Sequence, residues 1–218
     1  MIEALRSNND LIISYFTLRK TLGLLGILLP FVLVFGNWII FRDGLENSIS
    51  SYYHTGMGDV FVGILFAMGL FLFSYKGYTR WDDYAGDLAC LFAMGVALFP
   101  TTPENSPSDV ARIFGQIHLA FAALLFLTFA YFALFLFTKT HPGREPTRRK
   151  RQRNLVYKAC GAAIVLCIGL IVIVNLLPSE IASPIHVYKP VFLLEAIAVV
   201  AFGVSWLFKG EALLRDET

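Results

Sequence analysis

The sequence predicts an all-α polytopic membrane protein: one bundle of six transmembrane helices with the N- and C-termini both cytoplasmic. Three observations predict it. Of the 218 residues, 56% are hydrophobic and 16% charged, against roughly 25% charged in soluble domains. Mean hydropathy is +0.64, and the apolar residues gather into six runs close to the ~20 residues that cross a bilayer. Finally, 15 of the 18 Lys and Arg residues fall on one side of those runs, and positive charge beside a span resists translocation.

The chain reads as a single membrane domain over 1–218. Residues 1–20 contain SNND before LIISYF, a cap followed by Leu11, Tyr15 and Leu18 on one face, and predict an interfacial helix. Span 1 covers about 21–41, with Pro30 as a kink and Asn37 near its far end. Span 2 covers about 60–75. Span 3 covers about 84–99, where Ala85, Ala89, Ala93 and Ala97 recur every four residues as a seam for close helix packing. Span 4 opens after Ser106-Pro107-Ser108-Asp109, a capping pattern with proline at the first helical position, and covers about 113–138. Span 5 covers about 155–177 and stops at Pro178. Span 6 covers about 191–208.

Charge and cysteine usage exclude several classes. Net charge is only +2, so the run TRRKRQR (147–153) reads as a topology signal near anionic headgroups, and no nucleic-acid partner is expected. Cys90, Cys160 and Cys167 lie inside apolar runs and read as core residues. Trp38, Trp81 and Trp206 read as interfacial anchors. The carboxylates Asp82, Asp83 and Asp87 are expected to pair with Lys76 and Arg80 or to face cytosolic water.

The candidate site is the polar stretch NSISSYYHTGMGDVFVG (47–63) together with polar residues just beneath the extracytoplasmic face. His118 lies five residues past the start of span 4's apolar run and Glu195 five past Pro190, each ~7.5 Å deep at 1.5 Å per residue. Ionisable groups at that depth cost at least ~2.5 kcal/mol and normally face a partner or a watery cavity. His118 and Glu195 are therefore expected to meet as an imidazole–carboxyl pair, the candidate acid/base couple. Ser48, Ser50, Ser51, His54 and Asp59 are candidate ligand-binding residues, with Asn37 and Asn175 in the same stratum. His54, His118 and Glu195 are the residue types that hold a metal ion, the one candidate cofactor, although no HxxxH or HExxH spacing supports it.

On SISSYYHTGMGDVFVGILFAMG, GVALFPT and FGVSWLFKGE, the chain resembles the domain-of-unknown-function family 998 of six-span bacterial membrane proteins. More remotely it is similar to the Frag/DRAM/Sfk superfamily, whose members handle lipids, remodel GPI anchors or act in autophagy. That resemblance implies roles for Ser48-Ile49-Ser50, His118 and Glu195. Ser50-x3-His54 also resembles the CREST membrane hydrolases, which have seven spans and a late HxxxH pair where this chain has six and none. The resemblances imply a bacterial inner-membrane location and a lipid-like ligand as partner. The expected function is binding or handling of a lipid or other amphiphile in an outward-facing polar pocket. A membrane-embedded hydrolase or transferase is the alternative, and proton or ion conduction the third reading.

Overall fold

The computed structural model describes residues 15–77, 79–140 and 145–210. Among them the chain is all helical: α1 (Tyr15–Gly36), α2 (Gly58–Phe73), α3 (Arg80–Leu98), α4 (Asp109–Tyr131), α5 (Arg148–Leu176), α6 (Ser179–His186) and α7 (Pro190–Lys209). α1 runs on into a π-helical turn, Asn37–Phe41, and α4 into another, Phe132–Leu136; a 3₁₀ turn, Ser50–His54, precedes α2. With their π turns included, α1, α4, α5 and α7 are long and apolar enough to cross a membrane. α2 is apolar but shorter, and α3 carries Arg80, Asp82, Asp83 and Asp87 in its first half.

Residues 15–20 are continuous with α1 rather than part of a separate interfacial helix. The rest of the segment predicted there, 1–14, lies outside the described residues. Pro30 sits inside α1. α4 is capped two residues later than the sequence suggests: Ser108 Oγ accepts the Ala111 amide at 3.2 Å, and Asp109 is the first helical residue. α5 begins seven residues early, because Thr147 caps the Lys150 amide at 3.1 Å and the basic run continues as helix. α6 is an element the sequence reading lacks: Pro178, read as the end of span 5, is the N-cap of this helix, and Pro184 lies within it.

The six longer helices close a ring in which each touches the next, α1–α2–α3–α4–α5–α7, with α7 wedged between α5 and α1. Small residues set the tightest contacts. Ala85, Ala89, Ala93 and Ala97 are all buried, and a Cβ added at Gly69 of α2 would lie 3.7 Å from the Ala93 Cβ. The alanine seam thus packs α3 on α2. α4 and α7 meet across the ring where Phe129 stacks on Phe202, ring centroids 3.6 Å apart.

The ends of the bundle differ in charge. One, the basic end, gathers Arg19, Lys139, Lys150, Arg153 and Lys209 around a buried aromatic cluster of Tyr75, Phe132, Phe137 and Trp206. Trp206 is therefore a core residue and not an interfacial anchor, whereas Trp38 and Trp81 are exposed. Asp82 is buried there and takes Lys139 as its ion-pair partner, and its second oxygen accepts the Thr79 amide in a capping box. The other, the acidic end, carries the 42–57 segment, the 99–108 connection and α6.

Candidate functional site

The site at the acidic end is assembled by backbone groups that helices leave unpaired. Asn37 is fully buried where α1 gives way to the π turn, and its amide donates to the Gly44 carbonyl at 3.0 Å. The Asn37 carbonyl accepts the Asp43 amide at 3.3 Å, while Arg42 turns the chain with φ 58°. Asn37 thus launches the 42–57 segment.

Three residues further along that segment fix its course. The Asn47 carbonyl accepts the Phe192 amide at 3.0 Å, its side-chain oxygen accepts Lys189 Nζ at 2.5 Å, and its amide donates to Glu104. Asn47 therefore ties this segment both to the start of α7 and to the 99–108 connection. Ser48 Oγ accepts the Ser51 amide at 2.9 Å and lies 2.7 Å from Ser51 Oγ, opening the 3₁₀ turn. The Ile49 amide donates to Glu195 Oε2 of α7 at 2.7 Å. A short helix has no internal acceptor for its first amides, and here a carboxylate from a long apolar helix supplies one.

The two histidines serve the neighbouring connection. His118 of α4 is buried, and its Nδ1 donates to the Phe99 carbonyl, just past the end of α3, at 2.6 Å. A carbonyl only accepts, so the proton sits on Nδ1, and Nε2 is left buried without a hydrogen-bond partner. His54, on the 3₁₀ turn, donates from Nε2 to the Thr101 carbonyl at 2.8 Å. Two imidazoles from different elements thus hold one stretch of backbone two residues apart.

The expected imidazole–carboxyl pair is not formed. His118 bonds to Phe99 and Glu195 to Ile49. Their depths also differ: measured from the stacked Phe129 and Phe202, His118 lies eleven residues up α4 and Glu195 seven up α7, a difference of ~6 Å at 1.5 Å per residue. Asp59 is exposed on the first turn of α2, and Asn175 is exposed on α5, donating to its own helix at Ile171. Neither joins the site. His54, His118 and Glu195 do not converge, and among the described residues no three His, Cys, Asp or Glu gather as metal ligands.

What the arrangement does create is a polar cleft of about 260 Å³ between the two connections, lined by Asp43, Glu46, Ser51, His54, Thr102 and Glu104 among others. Below the 3₁₀ turn lies a narrow cavity of about 30 Å³, with Ser50 and Glu195 at its polar end and Leu29, Phe61, Leu65 and Phe129 along its walls. Glu46, Asn47 and Glu104 escaped the sequence reading. Asn47 opens the polar stretch 47–63, and Glu104 sits among prolines in the connection between spans 3 and 4; neither residue carries a motif.

Partial burial, and then the charges of Asp43 and Glu104, push the Glu46 carboxyl above its ordinary range, with Lys189 and His54 opposing. A raised folded-state value makes the folded state hold the proton more tightly than the unfolded chain does. The contribution of Glu46 to stability is thus fully present below the unfolded chain's value of 4.5 and is lost as pH rises through the folded-state value. Glu46→Gln is expected to stabilise the protein at neutral pH by roughly 0.5 kcal/mol, the scale of partly exposed electrostatics, and to give no gain at the acidic limit. Thermal midpoints of both proteins across that pH range measure it.

Comparisons of the chain with protein-family models, with curated proteins and with solved structures find no match.

Proposed function

We propose that this protein crosses a bacterial cytoplasmic membrane six times with its basic end in the cytoplasm, and that its acidic end binds the headgroup of a lipid or similar amphiphile. The carrying observation is the bond from the Ile49 amide to Glu195. Through it, a carboxylate on an apolar helix fixes the turn that presents Ser51 and His54 to the polar cleft. A group so costly to place within a membrane marks function more often than not, and here it organises a recognition surface. Acceptors dominate that cleft, with three carboxylates and Ser51, which suits a headgroup rich in hydroxyl or ammonium donors. The distribution of basic residues supports the orientation.

Binding is preferred to acid/base chemistry because His118 and Glu195 engage separate backbone groups and share no point where a reacting atom would sit. It is preferred to conduction because the cavity beneath Glu195 has apolar walls.

The test is lipid retention. The protein is purified from its membrane in mild detergent and its lipid quantified by mass spectrometry, beside Thr102→Trp, which fills the cleft, and Ile173→Trp on the exposed face of α5. The reading expects one lipid class retained by the wild type and by Ile173→Trp, and about tenfold less by Thr102→Trp, a loss of 1.4 kcal/mol. Equal retention in all three proteins would defeat it.

A further inference from the structure

The contact between α1 and α7 is uneven along its length, and the unevenness opens a groove. Towards the basic end the two helices touch backbone to backbone. A Cβ added at Gly203 would lie 2.5 Å from the Gly23 carbonyl oxygen, and one added at Gly26 would lie 3.2 Å from Gly203 Cα. Beyond Gly203, towards the acidic end, side chains separate the helices and leave an apolar hollow of about 610 Å³. Ala196 and Ala201 give it depth because they are short. Phe31, Phe35, Leu193 and Ile197, each about half exposed, form its edges. On α7 it runs from Ala201 to Phe192, nine residues or ~13 Å.

We infer that this groove holds one acyl chain of the amphiphile whose headgroup occupies the polar cleft, the ligand being admitted sideways from the membrane between α1 and α7. The inference rests on the binding function proposed above and adds the route and the lipid class, one with a free acyl chain. Two observations choose the occupant. First, Leu45 closes the end of the groove while the next residue, Glu46, lines the cleft. One loop thus has an apolar surface on one side and a polar one on the other, the order of groups in an amphiphile. Second, the rim is bulky. A second helix needs small residues on the rim to bring backbones together, whereas a flexible chain threads between Phe31 and Ile197 without that requirement. The same loop is held to α7 by the Asn47 carbonyl and Phe192 amide, 3.0 Å apart, so chain and headgroup would lie on either side of a fixed point.

The test is photo-crosslinking of protein extracted from its native membrane in mild detergent. A small diazirine amino acid, close to leucine in size and so too short to fill the cleft, is placed singly at Ile197 in the groove, at Thr102 in the cleft and at Ile173 on α5, and adducts are identified by mass spectrometry. The same lipid is expected at Ile197 and Thr102 and none at Ile173. Adding Ala196→Trp to the Thr102 probe should reduce its adduct by about tenfold, the factor for losing roughly two buried methylenes. An adduct at Thr102 with none at Ile197 overturns the groove and leaves the binding function standing. Equal adducts at Ile197 and Ile173 reveal only surrounding bilayer lipid and also overturn it. No adduct at any of the three positions overturns both.

Discussion

Glu195→Ala is expected to lower stability by about 2–3 kcal/mol, the range for hydrogen bonds to charged groups, and to release the 3₁₀ turn Ser50–His54. The reason lies with the amide left behind. Ile49 is buried, only 4% exposed, and its amide has the Glu195 carboxylate at 2.7 Å as its acceptor. Alanine would leave that donor without a partner in a place water reaches poorly, and the full desolvation penalty would fall on it. It would also enlarge the cavity below, which apolar side chains already line. Glu195→Gln retains an acceptor of nearly the same shape but without charge, and neutral bonds are about half as strong, so its cost should be near 1 kcal/mol. Denaturant titration in detergent measures both, and hydrogen exchange at 49–54 should accelerate in the alanine variant first. A cost below about 0.5 kcal/mol would mean that the bonds of Asn47 and Ser48 hold the turn without help from Glu195.

How far the sequence discloses this site depends on the kind of group involved. The long apolar helices are readable because hydropathy averages over many residues. Their ends are less so: α5 begins at Arg148 rather than near 155 because charge ends an apolar run without ending a helix. Nor are helix starts a common level: α4 starts twenty residues before Phe129 and α7 only twelve before Phe202. Depths counted from the two starts share no origin, so His118 and Glu195 come out level when they are not. That the two residues need polar partners is readable, since both are ionisable within apolar runs. The partners themselves are not, because Phe99 and Ile49 offer backbone groups that every residue possesses. Asn175 illustrates a further gap: its depth was estimated, but one residue turns a helix by about 100°, and its side chain ended on the exposed face.

Gly203→Leu is expected to destabilise the protein by more than about 3 kcal/mol, and even Gly203→Ala by about 2 kcal/mol, at or beyond the usual cost of overpacking a core. Three atoms decide this. An added Cβ would stand 2.5 Å from the Gly23 carbonyl oxygen and 2.8 Å from both the amide nitrogen and Cγ1 of Ile27. Two of the three are backbone, so no rotamer change relieves the clash, and α1 must move away from α7. Within a bilayer that movement is costly, since lipid is as apolar as the side chains and close packing itself holds helices together. Gly63 of α2 provides the opposite case within the same protein. Nothing lies within 4 Å of its added Cβ, so Gly63→Ala should stabilise by about 0.5–1 kcal/mol through helix propensity alone. Unfolding of the three variants in mixed detergent should therefore give effects of opposite sign from the same change of glycine to alanine. The crossing at Gly203 is also where the groove ends. A neutral Gly203→Ala would mean that the backbones do not touch there, and the hollow beside Ala196 and Ala201 would lose the close contact that closes it.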